Sequence, residues 1–486
     1  MFSRPTVWLI LAALVAATPL RAEEQNAWPV SVRQTGPDGT LESGQYIGPL
    51  FFTKSTATGE LQGFRPFLLQ ARTEDKKSDY FLYPLFTWER QPDFSSFSFF
   101  QLINRRRTAE TGQPEVRGFD IWPLYFSKET GDPATTYHAL MPVAGTIKQR
   151  FGKDRLTWYA FPLYFNTDKA GMEVTSAPWP FLRFIDGAGH HGFEFWPLFG
   201  HRGRTGDYDK RFWIWPLFYQ QSTHLDEPQP TIRIGALPFY SRDTGPGFVS
   251  ENYVWPFFGY THRTEPVRYD EQRYFWPFLV QGRGAQRYVN RWAPFYTHST
   301  YKGHDKTWIV WPLYRHAEWA DAGIAQEKNQ LLYFLYWSQT QRSLTNPAAA
   351  PAHKTHLWPL FSSWDNGAGR RQVQLLSPLE VFFPTNDPIR QLYTPLFALY
   401  RYDRQDAATS RHSLLWNAVT WRRSATDREF HVGPLFSVNS GEATKRIALL
   451  RGVLGWQRRP GEARGRLFLF DFVRKPATNS TAIPSP

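Results

Sequence analysis

Apolar and polar residues follow one another along this chain in blocks rather than singly. The clearest apolar block is Arg211-Phe212-Trp213-Ile214-Trp215-Pro216-Leu217-Phe218-Tyr219, an aromatic run around a Trp-Pro step with a polar stretch on either side. The step returns at Trp28-Pro29, Trp122-Pro123, Trp179-Pro180, Trp196-Pro197, Trp255-Pro256, Trp276-Pro277, Trp311-Pro312 and Trp358-Pro359. Looser copies place another residue before the proline, as at Tyr83-Pro84, Phe161-Pro162, Leu237-Pro238 and Gly433-Pro434. Copies without proline sit around Phe99, Phe334, Trp416, Leu449 and Phe468. About 24 units run from Pro29 to Phe468 at a mean of about 19 residues. A fixed period of this size marks a repeat architecture.

Each block predicts an extended segment of about 8 to 11 residues, because Trp, Tyr, Phe, Leu and Ile favour strands. The polar stretches between them, such as Ser127-Lys128-Glu129-Thr130-Gly131-Asp132, have turn composition. The centre of a block such as Phe195-Trp196-Pro197-Leu198-Phe199 is apolar on both faces, the pattern of a strand buried on both sides. Proline within sheets belongs at edges, strand starts or bulges, so each Trp-Pro step is expected to mark a bulge or corner within its strand. Only His316 to Gln330 has helical potential. The fold class is therefore all-β, with about 24 antiparallel strands closing into a large up-and-down β-barrel. A soluble β-solenoid, propeller or stacked meander is the second architecture the pattern admits.

The chain opens with Arg4, an apolar run from Val7 to Ala17, and Leu20-Arg21-Ala22 before Glu23. This has the form of a secretory signal peptide over residues 1–22. It leaves one repeat domain over 23–475 and a small polar tail over 476–486, expected to be disordered. There is no cysteine, so an exported chain of this length folds without disulfides. Export and this composition suggest a Gram-negative envelope protein, placed in the outer membrane, with the periplasm or cell surface as the alternative.

Charge adds a partner class. The formal net charge is +13, or about +11 once Arg4 and Arg21 are removed, which favours anionic partners. For an exported protein these are lipopolysaccharide phosphates, the outer membrane itself or an acidic polysaccharide; nucleic acid is not expected. Arg105, Arg106 and Arg107, and Arg202 with Arg204, are candidate anion-binding residues, since a guanidinium fork matches phosphate and carboxylate. We place these arginines in loops or at strand ends. No nucleophile elbow, calcium loop or HExxH spacing occurs, and His190-His191 lies in a Gly-rich turn sequence without a ligand set. No catalytic residue, metal site or cofactor is assigned. Trp122-Pro123, Trp196-Pro197, Trp215-Pro216, Trp255-Pro256 and Trp311-Pro312 are read as structural, with their tryptophans in the core. The expectation is a non-enzymatic envelope protein, a membrane scaffold or passage; the alternative is a soluble repeat protein binding an anionic glycan or a partner protein.

Overall fold

The computed structural model describes residues 24–470 apart from 37–38, 442–443 and 460–461. The expected signal peptide and polar tail lie outside the described residues. The fold is all-β, an antiparallel up-and-down array of 45 described strands in which pairing is between strands adjacent in sequence. Most are five to seven residues long, and none exceeds eight. The expected number was about half of this, because each repeat supplies two strands rather than one. Among the described residues the series is open: Glu24–Ala27 pairs with Ser31–Thr35, and Arg466–Leu469 with Leu454–Arg458, and neither makes a second pairing.

The Trp-Pro step lies between strands, not within one. Tyr208–Trp213 ends where Ile214-Trp215-Pro216-Leu217 turns the chain, and Phe218–Thr223 returns in register, Trp213 opposite Phe218. An apolar block is thus the end of one strand, a tight turn and the start of the next. All nine Trp-Pro peptide bonds are cis, as in type VI turns. The polar stretches form the opposite connections. Several are two-residue hairpins such as Ala322-Gly323, whose φ values of 49° and 77° fit the twist of the flanking strands. That hairpin joins Tyr314–Asp321 to Ile324–Leu331, so the stretch predicted as helical is two strands. In the second unit the Trp-Pro turns fall on one edge of the meander and the polar loops, Glu265-Pro266 among them, on the other.

The chain divides into two compact units. Among the described residues the first comprises 24–83 and 349–470, the second 84–348. In the first, amino-terminal strands face carboxy-terminal ones through polar contacts. Arg411 donates to both carboxylate oxygens of Glu24 at 2.7 and 3.0 Å. Asn26 donates to the Asn417 carbonyl at 2.8 Å, and Asn417 to the Gln45 side chain at 2.6 Å. A one-turn helix, Asp387–Leu392, is capped by Asn386 and buries Leu392 against Phe52 and Leu69. The helix was not predicted; its six residues are too few to show a periodicity.

The second unit is the meander from Phe86–Arg90 to Tyr336–Ser343. Its apolar core is local: Trp158 is fully buried with Phe126, Tyr137, Ala139 and Ile147, and its indole donates to the Leu140 carbonyl at 3.1 Å. Elsewhere aromatic rings lie over glycines of the neighbouring strand. Gly200 stands opposite Phe212, and Gly235 opposite Tyr219. The glycines leave room for the rings to lie flat.

Candidate functional site

The proline-turn edge of the second unit is its most unusual surface. The expected core position of its tryptophans is overturned: Trp122, Trp196, Trp215, Trp255 and Trp311 are between 38% and 56% exposed, because each stands in or beside a turn. The residues after three other prolines project further. Phe239 is 75% exposed, Phe295 70% and Leu163 65%. Single exposed apolar residues need no explanation, but a contiguous series of them does.

The backbone of this edge is closed on itself. Trp196 N–H donates to the Phe181 carbonyl of the preceding turn, and Leu198 N–H to Phe195. Ile214 N–H then donates to Leu198, Trp215 to Pro197, and Leu217 to Ile214. The bond from one turn to the next recurs from Leu102 to Leu332, including Trp122 to Leu102, Leu237 to Leu217, Trp276 to Phe257 and Val310 to Phe295. In the turns Trp196–Leu198, Ile214–Leu217, Leu237–Phe239, Trp276–Phe278, Ala293–Phe295 and Val310–Leu313 every N–H has a carbonyl partner, and the residue with no bond to make is the proline, which has no N–H. The reach to the previous turn sets Ile214 and Val310 at φ 47°, a conformation β-branched residues rarely adopt.

The strands extend this edge in rows, because directly paired residues share a face. Counting inward from the turns, the first row is aromatic or aliphatic and exposed, as at Tyr159, Phe199, Trp213, Phe218, Tyr253 and Phe258. The second row points to the other face and holds the buried Trp158, Glu194 and Ser241. The third returns to the exposed face and is mostly polar. Its pairings link His201, Arg211 and Gln220, then Ile234, Arg242 and Glu251. Polarity is thus graded along each strand: apolar tip, aromatic row, polar row.

The predicted anion-binding arginines lie within strands, not loops. Arg105, Arg106 and Arg107 occupy Ile103–Thr108, so Arg106 points to the face opposite the other two. Arg107 lies 2.7 Å from Glu115, while Arg105 and Arg106 are exposed. Arg202 and Arg204 share one face of Phe199–Arg204, beside Glu194 at 3.6 Å and Asp207 at 3.4 Å respectively. Ten strand spacings separate the two groups, about 48 Å at the usual spacing, so they do not form one site. Among the described residues no group of three or more His, Asp or Glu side chains could hold a metal ion.

The chain matches no protein-family model and no curated protein. Its function is therefore argued from this edge. Sequence reasoning found the proline steps of this edge but missed their position between strands, and the missed signal was parity. A repeat of about 19 residues is too long for one strand and right for two strands with two connections.

Proposed function

We propose that this chain is an exported, non-enzymatic envelope protein that docks on a lipid bilayer by the proline-turn edge of its second unit, entering one leaflet. The observation that carries this reading is the closed backbone of an exposed apolar edge. Inside lipid each unpaired N–H costs several kcal/mol, so a loop enters only if its own donors are satisfied. In the six turns named above partners satisfy them from turn to turn, and proline removes the remainder. The tip with the first strand positions is about 10 Å deep, against roughly 15 Å for half of the hydrocarbon core. The first row supplies Tyr, Trp and Phe at the depth where amphipathic rings favour the boundary with water.

The same lengths argue against a spanning barrel. A membrane-crossing strand needs roughly nine to eleven residues, whereas strands of this chain have four to eight. Twist between neighbouring strands, about 20–25°, rotates successive hairpins, so contact is made by blocks of consecutive turns. Export places the lipid surface in the envelope.

The test is flotation of the mature protein with phosphatidylcholine vesicles. Binding is expected, and replacing Leu198, Leu217 and Phe239 together by Ser should weaken it roughly a hundredfold, at about 1 kcal/mol for each half-exposed side chain. Unchanged binding by that variant, with its fold intact by circular dichroism, would remove the turn edge from the lipid contact.

A further inference from the structure

We infer that the docking edge selects anionic, phosphate-bearing lipid headgroups, because charge on the exposed face is sorted by distance from the turns. This inference rests on the lipid-docking reading above and adds the class of lipid.

The third row carries Arg105, Arg211 and Arg242. Its carboxylate, Glu251, is occupied by Arg242 at 3.3 Å and by the Tyr253 hydroxyl at 2.6 Å. The fifth row, on the same face and farther from the turns, carries arginines such as Arg107, Arg117, Arg155 and Arg283, but most of the carboxylates of this face collect there. Its pairings join Arg155 to Asp168, Asp168 to Glu173 and Glu173 to Asp186, and later Asp305 to Glu318 and Glu318 to Glu327. Carboxylates directly opposite one another repel, and within the sheet Arg155 offsets this for Asp168 and Glu173 at 3.9 and 3.1 Å. Two strand residues separate the rows, about 7 Å. With the aromatic row at the hydrocarbon boundary, the third row lies at the phosphates and the fifth stands off in water.

The guanidinium groups have donors to give. Arg105 makes no ion pair among the described residues and is exposed. Arg211 bonds Asp209 through Nε and Nη2, leaving Nη1, and its side chain is 51% exposed. Arg242 contacts Glu251 through Nε and is 46% exposed. Exposed ion pairs of this kind are worth little and exchange readily for a phosphate.

The experiment measures binding of the mature protein to vesicles of phosphatidylcholine alone and of phosphatidylcholine with phosphatidylglycerol, at two salt concentrations. A preference for the anionic vesicles that shrinks with salt is expected. Arg105→Gln with Arg211→Gln should reduce that preference on the order of 25-fold, about fivefold per residue, and weaken binding to the neutral vesicles far less. Arg155→Gln with Arg283→Gln, the same charge change in the fifth row, should reduce it far less; equal losses would mean net charge acts rather than the row. Equal binding to both vesicles overturns this inference and leaves lipid docking standing. Binding to neither overturns both. Capture by an acidic polysaccharide in place of vesicles, or self-association through the edge, also overturns it.

Discussion

Trp158 and Trp215 are the same residue type in the same repeat, and their surroundings are opposite. Trp158 is fully enclosed with a bonded indole, while Trp215 stands 44% exposed at a turn. Trp158→Ala should cost about 3–5 kcal/mol in chemical denaturation. Trp215→Ala should cost under about 1 kcal/mol, and its effect should appear in vesicle binding instead. Glu24 provides a second residue-level test. Burial would push its carboxyl up, but the Arg411 guanidinium holds it down, to about 2 from an ordinary 4.5. A carboxyl whose folded value is depressed stabilises the fold above its unfolded value and loses that contribution as pH falls. The first unit should therefore lose about 3 kcal/mol between pH 4.5 and 2. Glu24→Gln should flatten that part of a stability-against-pH curve. The sequence displays neither surrounding: aromatic residues recur so regularly that their spacing alone does not tell a packed indole from a tip.

At the scale of the element, the strands were legible and their ends were not. Glycine and aspartate mark the polar loops, so connections on that edge were read as turns. The opposite turns are built from Trp, Pro, Leu and Phe, a composition that reads as strand, and two strands merged into one. The two-faced apolar pattern around Phe195-Trp196-Pro197-Leu198-Phe199 had the same origin: Trp196 to Leu198 form the turn, and Phe195 and Phe199 stand opposite one another on two strands. Cross-strand glycines give a test of the sheet itself. A Cβ on Gly235 would stand 2.2 Å from the Tyr219 ring. Gly235→Val should lower the unfolding midpoint by the equivalent of about 1–3 kcal/mol, as overpacking does.

For the whole molecule, composition indicated the class and left the partner open. All-β architecture, repetition and a single kind of unit were visible in the sequence. The grading of polarity and charge along each strand was not, because it appears only once register is known and residues remote in sequence fall into one row. Export is independent of the fold and has its own measurement: the mature chain from the envelope fraction should begin at or near Glu23, and an intact Met1 there would contradict it.

Sequence-local pairing has a further consequence, for length. Since every strand leans on its immediate neighbours, stability in such an array is close to a sum over units and interfaces. Copy number then becomes a free variable. Excising Val254–Phe275 removes one turn, two strands and one loop, and brings Tyr253 directly to the Trp276 turn with direction and face preserved. Trp276 N–H would then meet the Phe239 carbonyl that Val254 now uses. The shortened protein should fold and hold fewer lipids per molecule, whereas removing Phe258–Arg263 alone would reverse every later strand and should not fold. A gene encoding such a chain can gain or lose reach by duplication or loss of a single repeat, so members of its lineage would differ in length by multiples of about 19 residues.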